Sequence, residues 1–253
     1  MRWVYLSPHF DDIALSCGGM VWEQTQAGQA VEIWTVCAGA PDAVAPGALA
    51  PLSSFAQALH QRWQTGGDAV ADRRAEDDAA LQRLGARARY WTLPDAIYRR
   101  LPDQTWLVNG EESLFQPINP QEKGILDHLV AWLASDLDMS DTLVSPLTLG
   151  NHVDHYLVRA AAEHAAAKVR CGLLYYPDYP YVAKPQVDWS DKIGEGWQQT
   201  CRAISPAALL AWQDAVACYT SQVSTFFKDR PDLDASLGRY LQTGGGACLW
   251  QPA

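Results

Sequence analysis

Near the start of the chain a strand, a helix and a second strand follow one another with only short turns between them, and no other stretch constrains the fold as much. Residues 2–6 carry the apolar run Trp3 to Leu6. Across residues 11–26, Ile13, Leu15, Val21 and Trp22 recur at roughly helical spacing, and Ala27-Gly28 supplies the stop. Residues 31–37 then read as a second strand. Such a crossover lays its two strands parallel with a right-handed connection, so the opening predicts an α/β protein with a parallel sheet.

The alternation continues downstream. Residues 72–84 form a helix ended by Gly85, 89–93 a strand closed by Pro94, 122–137 a helix, 142–145 a strand, 152–169 an Ala-rich helix and 173–176 a strand. Residues 206–227 read as one long helix, and the Gly-rich, then apolar, stretch 244–253 as a terminal edge strand. Between them, residues 38–67 turn to Ala, Pro, Gly, Ser and Gln, with Pro41, Pro46 and Pro51 breaking any regular element. This Pro/Ala/Gly-rich insertion around 39–67 reads as an irregular connection, either a lid or binding loop or a passive one.

At 253 residues and 48% hydrophobic content the chain can bury a full core, which predicts a single domain over residues 1–253. A net charge of −10 argues against nucleic-acid and anionic-membrane partners, which reward Lys and Arg. The six cysteines (17, 37, 171, 201, 218 and 248) are scattered without a CxxC, and read as reduced, mostly buried thiols. No apolar run approaches bilayer length and no signal-like region opens the sequence, so a cytoplasmic protein without membrane insertion is expected.

Two clusters carry chemistry. Ser7-Pro8-His9-Phe10-Asp11-Asp12 places an imidazole and two carboxylates where the first strand gives way to its helix, and Asn151-His152-Val153-Asp154-His155 follows the strand at 142–145. In an open parallel sheet, ligands bind at the carboxyl ends of strands where the strand order reverses, so the two clusters can meet in one site. His152 and His155 stand three apart, on one face of a helix or its opening turn. Two imidazoles and a carboxylate, with a position left for water, make a catalytic zinc site. Each cluster alone also admits a plainer account, since Asp pairs cap helices and single histidines sit on surfaces or in cores. His60, His128 and His164 have no such context and are read as structural.

On these residues the chain resembles a known family. His9-Phe10-Asp11-Asp12 is similar to the His-Pro-Asp-Asp signature of the LmbE/PIG-L de-N-acetylases, and His152-Val153-Asp154-His155 to that family's second His-x-Asp-His motif. Arg73-Arg74-Ala75-Glu76 followed by Leu84-Gly85, then Leu93-Pro94-Asp95, then Tyr176-Pro177-Asp178-Tyr179-Pro180 also fit, so the resemblance spans most of the chain to about Tyr181. Beyond it, only Tyr219-Thr220-Ser221-Gln222 is similar to the family's C-terminal helix.

The resemblance implies a Rossmann-like three-layer α/β sandwich with a mostly parallel central sheet, holding one zinc ion, or iron in its place. It also implies hydrolysis of an N-acetyl group from an N-acetylglucosamine-type sugar, so the expected partner is a small-molecule amino sugar, with homo-oligomerisation left open. Carried over, His9, Asp12 and His155 are metal ligands, Asp11 the general base, His152 the electrostatic or acid partner, and Asp154 the residue that orients His152. Arg73 and Asp95 match sugar-contacting positions, with Arg74 as an alternative to Arg73. Phe10 departs from the family's proline, Ile13 stands where many members have an acidic residue, and the 39–67 insertion has no counterpart, which leaves substrate choice open.

The residues themselves agree with that chemistry: zinc would activate water and polarise the acetyl carbonyl while Asp11 takes the proton. A metal-dependent phosphoester hydrolase would want a second metal and more ligands, and a non-catalytic carbohydrate-binding protein would not require Asp11. Tyr175, Tyr176, Tyr179 and Tyr181 read either as a sugar-stacking wall or as core.

Overall fold

The computed structural model describes residues 1–41, 51–65, 68–183, 187, 189 and 191–252. Its first half runs β1 (Arg2–Ser7), α1 (Asp12–Gln26), β2 (Ala30–Thr35), α2 (Ser54–Trp63), α3 (Ala69–Leu84), β3 (Arg87–Tyr90), α4 (Glu111–Leu114) and α5 (Lys123–Asp136). Then come β4 (Thr142–Pro146), α6 (Val153–Val169), β5 (Gly172–Tyr176), β6 (Gln198–Cys201), α7 (Pro206–Val216), α8 (Thr220–Phe226), α9 (Arg230–Gln242) and β7 (Cys248–Gln251). Side chains of Ser53, Asp68, Ser205 and Asp229 accept backbone N–H bonds at the starts of α2, α3, α7 and α9. Gly85, at φ +71°, ends α3 in the left-handed region that a side chain would disfavour.

The sheet is ordered β3-β2-β1-β4-β5-β7-β6. Strands β1 to β5 are parallel, and β7 pairs antiparallel with both β5 and β6. Alternation along β1 sends Val4 and Leu6 to one face and Tyr5 to the other. Val4 and Leu6 pack with Leu129 and Leu133 of α5 and Leu157 and Val158 of α6. Tyr5 packs with Ile13 and Val21 of α1, Leu81 of α3 and Trp212 of α7. The result is the three-layer α/β sandwich with a mostly parallel sheet that the sequence predicts. Each fully buried Leu or Val adds roughly 1.5–3 kcal/mol over its exposed state.

Several expectations need correction. The helix at 206–227 is two helices, because Glu76 accepts bonds from the Ser221 N–H and the Thr220 and Ser221 hydroxyls and so caps a new start at Thr220. The Pro-rich segment is not irregular throughout: residues after Pro51 form α2, while 42–50 and 66–67 lie outside the described residues. The last strand is not an edge, since β7 lies between β5 and β6. Register there places Cys201 opposite Cys248, and the two form a disulfide, where the sequence had suggested reduced thiols. Cysteines 47 positions apart become partners only through the strand pairing, which no local spacing reveals. Cys17, Cys37, Cys171 and Cys218 are free.

Candidate active site

Strands β1 and β4 are neighbours, with Trp3 paired to Thr142 and Tyr5 to Val144. Strand order runs outward in opposite directions from this pair, so the loops after Ser7 and Pro146 open a crevice at the carboxyl edge of the sheet. The second loop is bent hard. Thr148 (φ +64°) and Asn151 (φ +58°) are left-handed, at a cost of about 1–3 kcal/mol for such a position. Asp178 holds the bend by accepting from the Leu149 N–H, and Tyr156 holds it by donating to Asn151. At Gly150 a Cβ would sit 2.3 Å from the Tyr181 ring, so glycine there lets Tyr181 close over His155.

The crevice brings both clusters together. Ligand atoms of His9, Asp12 and His155 all lie within 4.8 Å of one another, and so do those of His9, His152 and Asp154. The first group is the freer one. Asp154 is already occupied: its Oδ2 accepts from the Ala96 N–H, and its Oδ1 lies 2.7 Å from Arg99 as an ion pair. In the first group a carboxylate stands behind each imidazole. His9 Nε2 is 3.1 Å from Asp154, leaving Nδ1 3.3 Å from Asp12; His155 Nδ1 is 2.5 Å from Asp178, leaving Nε2 3.4 Å from Asp12. Carboxylates that fix the ring and tautomer of metal-bound histidines are the usual outer partners of such sites.

The electrostatics agree with a site built for positive charge. Burial disfavours the charge on Asp12, but His155 and His9 outweigh it and hold the carboxyl below the usual carboxylate range. Burial likewise opposes protonation of His155, yet Asp12 and Asp178 push its pKa up to about 9. His9 is raised well above the ordinary histidine value against its burial, chiefly by Asp95, Asp12 and Asp154. A divalent cation meets the same demand with its own charge, and this donor set of two imidazoles and a carboxylate fits one.

Around the cluster, Asp11 occupies the cap position of α1 without capping it, which removes the plain helix-cap account of that residue. Burial raises its pKa, Arg73 opposes the rise and Asp12 adds to it. His152 begins α6, and its Nδ1 accepts the Asp154 N–H, which leaves any ring proton on Nε2. Burial, then the nearby His9, drive its pKa well below the ordinary value, which favours the uncharged ring. Asp154 meets His152 through its backbone N–H, while its carboxylate bonds His9, because α6 turns it inward toward Arg99 and the Ala96 N–H. Arg73 lies 3.4 Å from Asp11 and 4.0 Å from Asp95, with its guanidinium over Trp63 and Phe10. Arg74 turns away to the Ala38 carbonyl, so Arg73 is the one at the crevice.

Above the cluster is a cavity of about 390 Å³. Phe55, Leu59 and Trp63 of α2, Leu114 and Phe115 at α4, Tyr179 and Tyr181, and Gln222 and Phe226 of α8 line it with the charged residues below. A larger cavity of about 640 Å³ lies beyond Tyr179, but no His or carboxylate lines it among the described residues. Sequence reasoning gave no role to Asp178, Arg99, Glu122, α2 or α8. For Asp178 a signal existed, since the Tyr-Pro-Asp-Tyr-Pro segment stood out; Arg99 and Glu122 left none.

A histidine and carboxylate cluster at the switch point of a parallel sheet, with a further buried carboxylate, Asp11, held beside it by Arg73, is the arrangement of a metal-dependent hydrolase. Residues 4–166 match the GlcNAc-PI de-N-acetylase (PIG-L) family, and the chain belongs to that family. It is 30% identical over 204 residues to a 2'-N-acetylparomamine deacetylase of Niallia circulans, covering 78% of this chain and 72% of that protein. Its structure is similar to the zinc-inhibited form of teicoplanin deacetylase Orf2, with a TM-score of 0.78 and 27% identity over 99% of this chain and 97% of the other. The A40926 pseudoaglycone deacetylase Dbv21 is similar too, with a TM-score of 0.72 and 26% identity over 98% and 96%. The chain is accordingly a metal-dependent amide hydrolase acting on N-acetyl groups. No helix among the described residues is long and apolar enough to cross a membrane.

Proposed function

We propose that the protein is a zinc-dependent deacetylase that removes the N-acetyl group from an N-acetylglucosamine-type sugar carried on a conjugate. His9, Asp12 and His155 are the metal ligands in this reading. One observation carries it: each of the two imidazoles is turned by a carboxylate at its back so that its remaining nitrogen faces Asp12. Zinc, when bound, lowers the pKa of water and polarises an acyl oxygen.

The chain's own residues supply the rest. Asp11, buried beside Arg73, accepts the proton of the attacking water and returns it to the departing amine, a task suited to a carboxyl whose pKa is raised. His152, neutral with its proton on Nε2, donates to the oxyanion that develops on the acetyl group. Asp154 positions His9, and Arg73 and Asp95 bind the sugar. The apolar rim supports a conjugate over a free monosaccharide, because a bare sugar leaves Phe55, Leu59 and Phe226 without a partner. Both α2, from the 39–67 segment, and α8 line the same cavity, which supports one catalytic domain over residues 1–253.

The test is to load the protein with zinc, offer N-acetylglucosamine conjugates and assay the freed amine. Amine release that stops on chelation and returns with zinc is the expected result. No release from any N-acetylated amino-sugar conjugate overturns the proposal.

A further inference from the structure

Behind the metal loop lies a carboxyl with no part in the chemistry above. Asp77, on the inner face of α3, is wholly buried. Its Oδ1 is 2.6 Å from the Tyr219 hydroxyl, while Oδ2 has no hydrogen-bond partner among the described residues. The same hydroxyl lies 3.0 Å from the carbonyl oxygen of Phe10, the residue between His9 and Asp11. One phenolic proton faces two oxygens, and a carbonyl can only accept. An ionised Asp77 could also only accept, so one of these close pairs would be two acceptors facing each other in the dry interior. With Asp77 as the acid the protons suffice: Asp77 donates to Tyr219, and Tyr219 donates to Phe10.

We infer that Asp77 is held as the neutral acid and is a positioning residue, whose relay through Tyr219 fixes the backbone between the metal ligand His9 and the base Asp11. The inference rests on the proposed roles of those two residues. Three further observations support it. Burial pushes the Asp77 carboxyl up to about 7, against the lowering effects of Tyr219 and of Tyr90, whose own hydroxyl donates to Asp78. The titratable groups facing it are Tyr219 at the start of α8, Tyr90 from β3, Asp11 at the start of α1 and Asp78 on its own helix; it has no ion pair among the described residues. Finally, neighbouring Glu76 anchors Thr220 and Ser221, which holds Tyr219 in place. Phe10 stands where the family resemblance expects proline, and the bond to its carbonyl restrains the backbone at a position with no proline ring.

The test compares wild type with Asp77→Asn, Asp77→Leu and Tyr219→Phe, each loaded with zinc. An infrared difference spectrum of wild type against Asp77→Asn, taken at about pH 5–6 where a free Asp is ionised, should show a protonated carboxyl in the wild type. Only a carboxylate band there overturns the inference, whether or not any turnover is seen. Loss of amine release by the wild type, in contrast, would count against the proposed function and leave the infrared result standing. Asp77→Leu and Tyr219→Phe should lower kcat on the order of tenfold with KM and zinc content unchanged, the scale of one lost buried hydrogen bond. Asp77→Asn, whose amide N–H can donate in place of the acid, should restore most of that loss. A fully active Asp77→Leu, or an Asp77→Asn as slow as Asp77→Leu, overturns the positioning role. The folded pKa is raised from 3.8, so Asp77 stabilises fully below about pH 4 and this contribution is lost as pH rises through about 7. The wild-type Tm should therefore fall more steeply over that window than that of Asp77→Asn, and parallel curves overturn the inference.

Discussion

The floor of the active-site cavity is held by charge, and its rim by packing. On the floor each polar group is fixed by another that is itself fixed: Asp154 holds His9, Arg99 sits against Asp154, and Glu122 accepts from Arg99 at 2.7 Å, while Asp178 holds His155. On the rim, Phe55, Leu59 and Trp63 come from one short helix and Gln222 and Phe226 from another, meeting across the opening. A floor so over-determined can carry chemistry that tolerates no displacement. A rim of mostly apolar side chains on separate helices stands outside this polar network, so under the proposed function the floor serves the reaction and the rim the choice of substrate.

That division can be broken most sharply at the proposed metal ligands. His155→Ala should lose bound metal and at least about a thousandfold in turnover, because too few protein ligands remain; undiminished metal by elemental analysis would remove His155 from the set. Asp11→Asn should keep the metal while kcat falls by a factor of about a hundred to ten thousand. A metal-loaded Asp11→Asn with near-wild-type kcat would leave the site without its base. Arg99→Ala should destabilise the fold by about 3–5 kcal/mol in urea titrations, since it takes the shared cation from two buried carboxylates, Asp154 and Glu122. A shift below about 1 kcal/mol would mean that the floor is less interlocked than its geometry implies. Asp178→Asn should weaken zinc binding by about 10–100-fold, measured by competition with a chelating dye, with little change in fold. The smallest effect belongs to the rim: Phe226→Ala should raise KM by roughly three- to tenfold with kcat and metal content constant. A fall in kcat instead would show that rim and floor are not separable.

How much of this was readable beforehand depends on where the causes lie along the chain. His9, Asp11, Asp12, His152, Asp154 and His155 sit in two short motifs at strand-to-helix turns, and the parallel sheet brings such turns to one edge, so their meeting follows from local pattern plus one topological rule. The split at Ala217 to Tyr219 depends on Glu76, more than 140 positions earlier, and nothing in the 206–227 pattern announces it. The resemblance implies that Asp154 orients His152, but no local pattern shows that the first turn of α6 also carries its carboxylate across to His9, in the loop after β1. α2 was hidden by composition: three prolines mask the Ser53 cap and the Phe55, Leu59 and Trp63 spacing that follow them.

The place of β7 has a consequence for how the sheet can be completed. β6 pairs with β7 alone among the described residues, and β7 in turn is its link to β5. Residues 198–201 therefore have no strand partner among the described residues other than 248–251, which stand between them and the parallel strands. The sheet is thus completed by a strand inserted between two others, and α7, α8 and α9 all lie in the segment that joins β6 to β7. Without residues 248–251 the parallel strands and both motifs of the candidate site remain, but β6 has no strand partner among the described residues and presents an open edge.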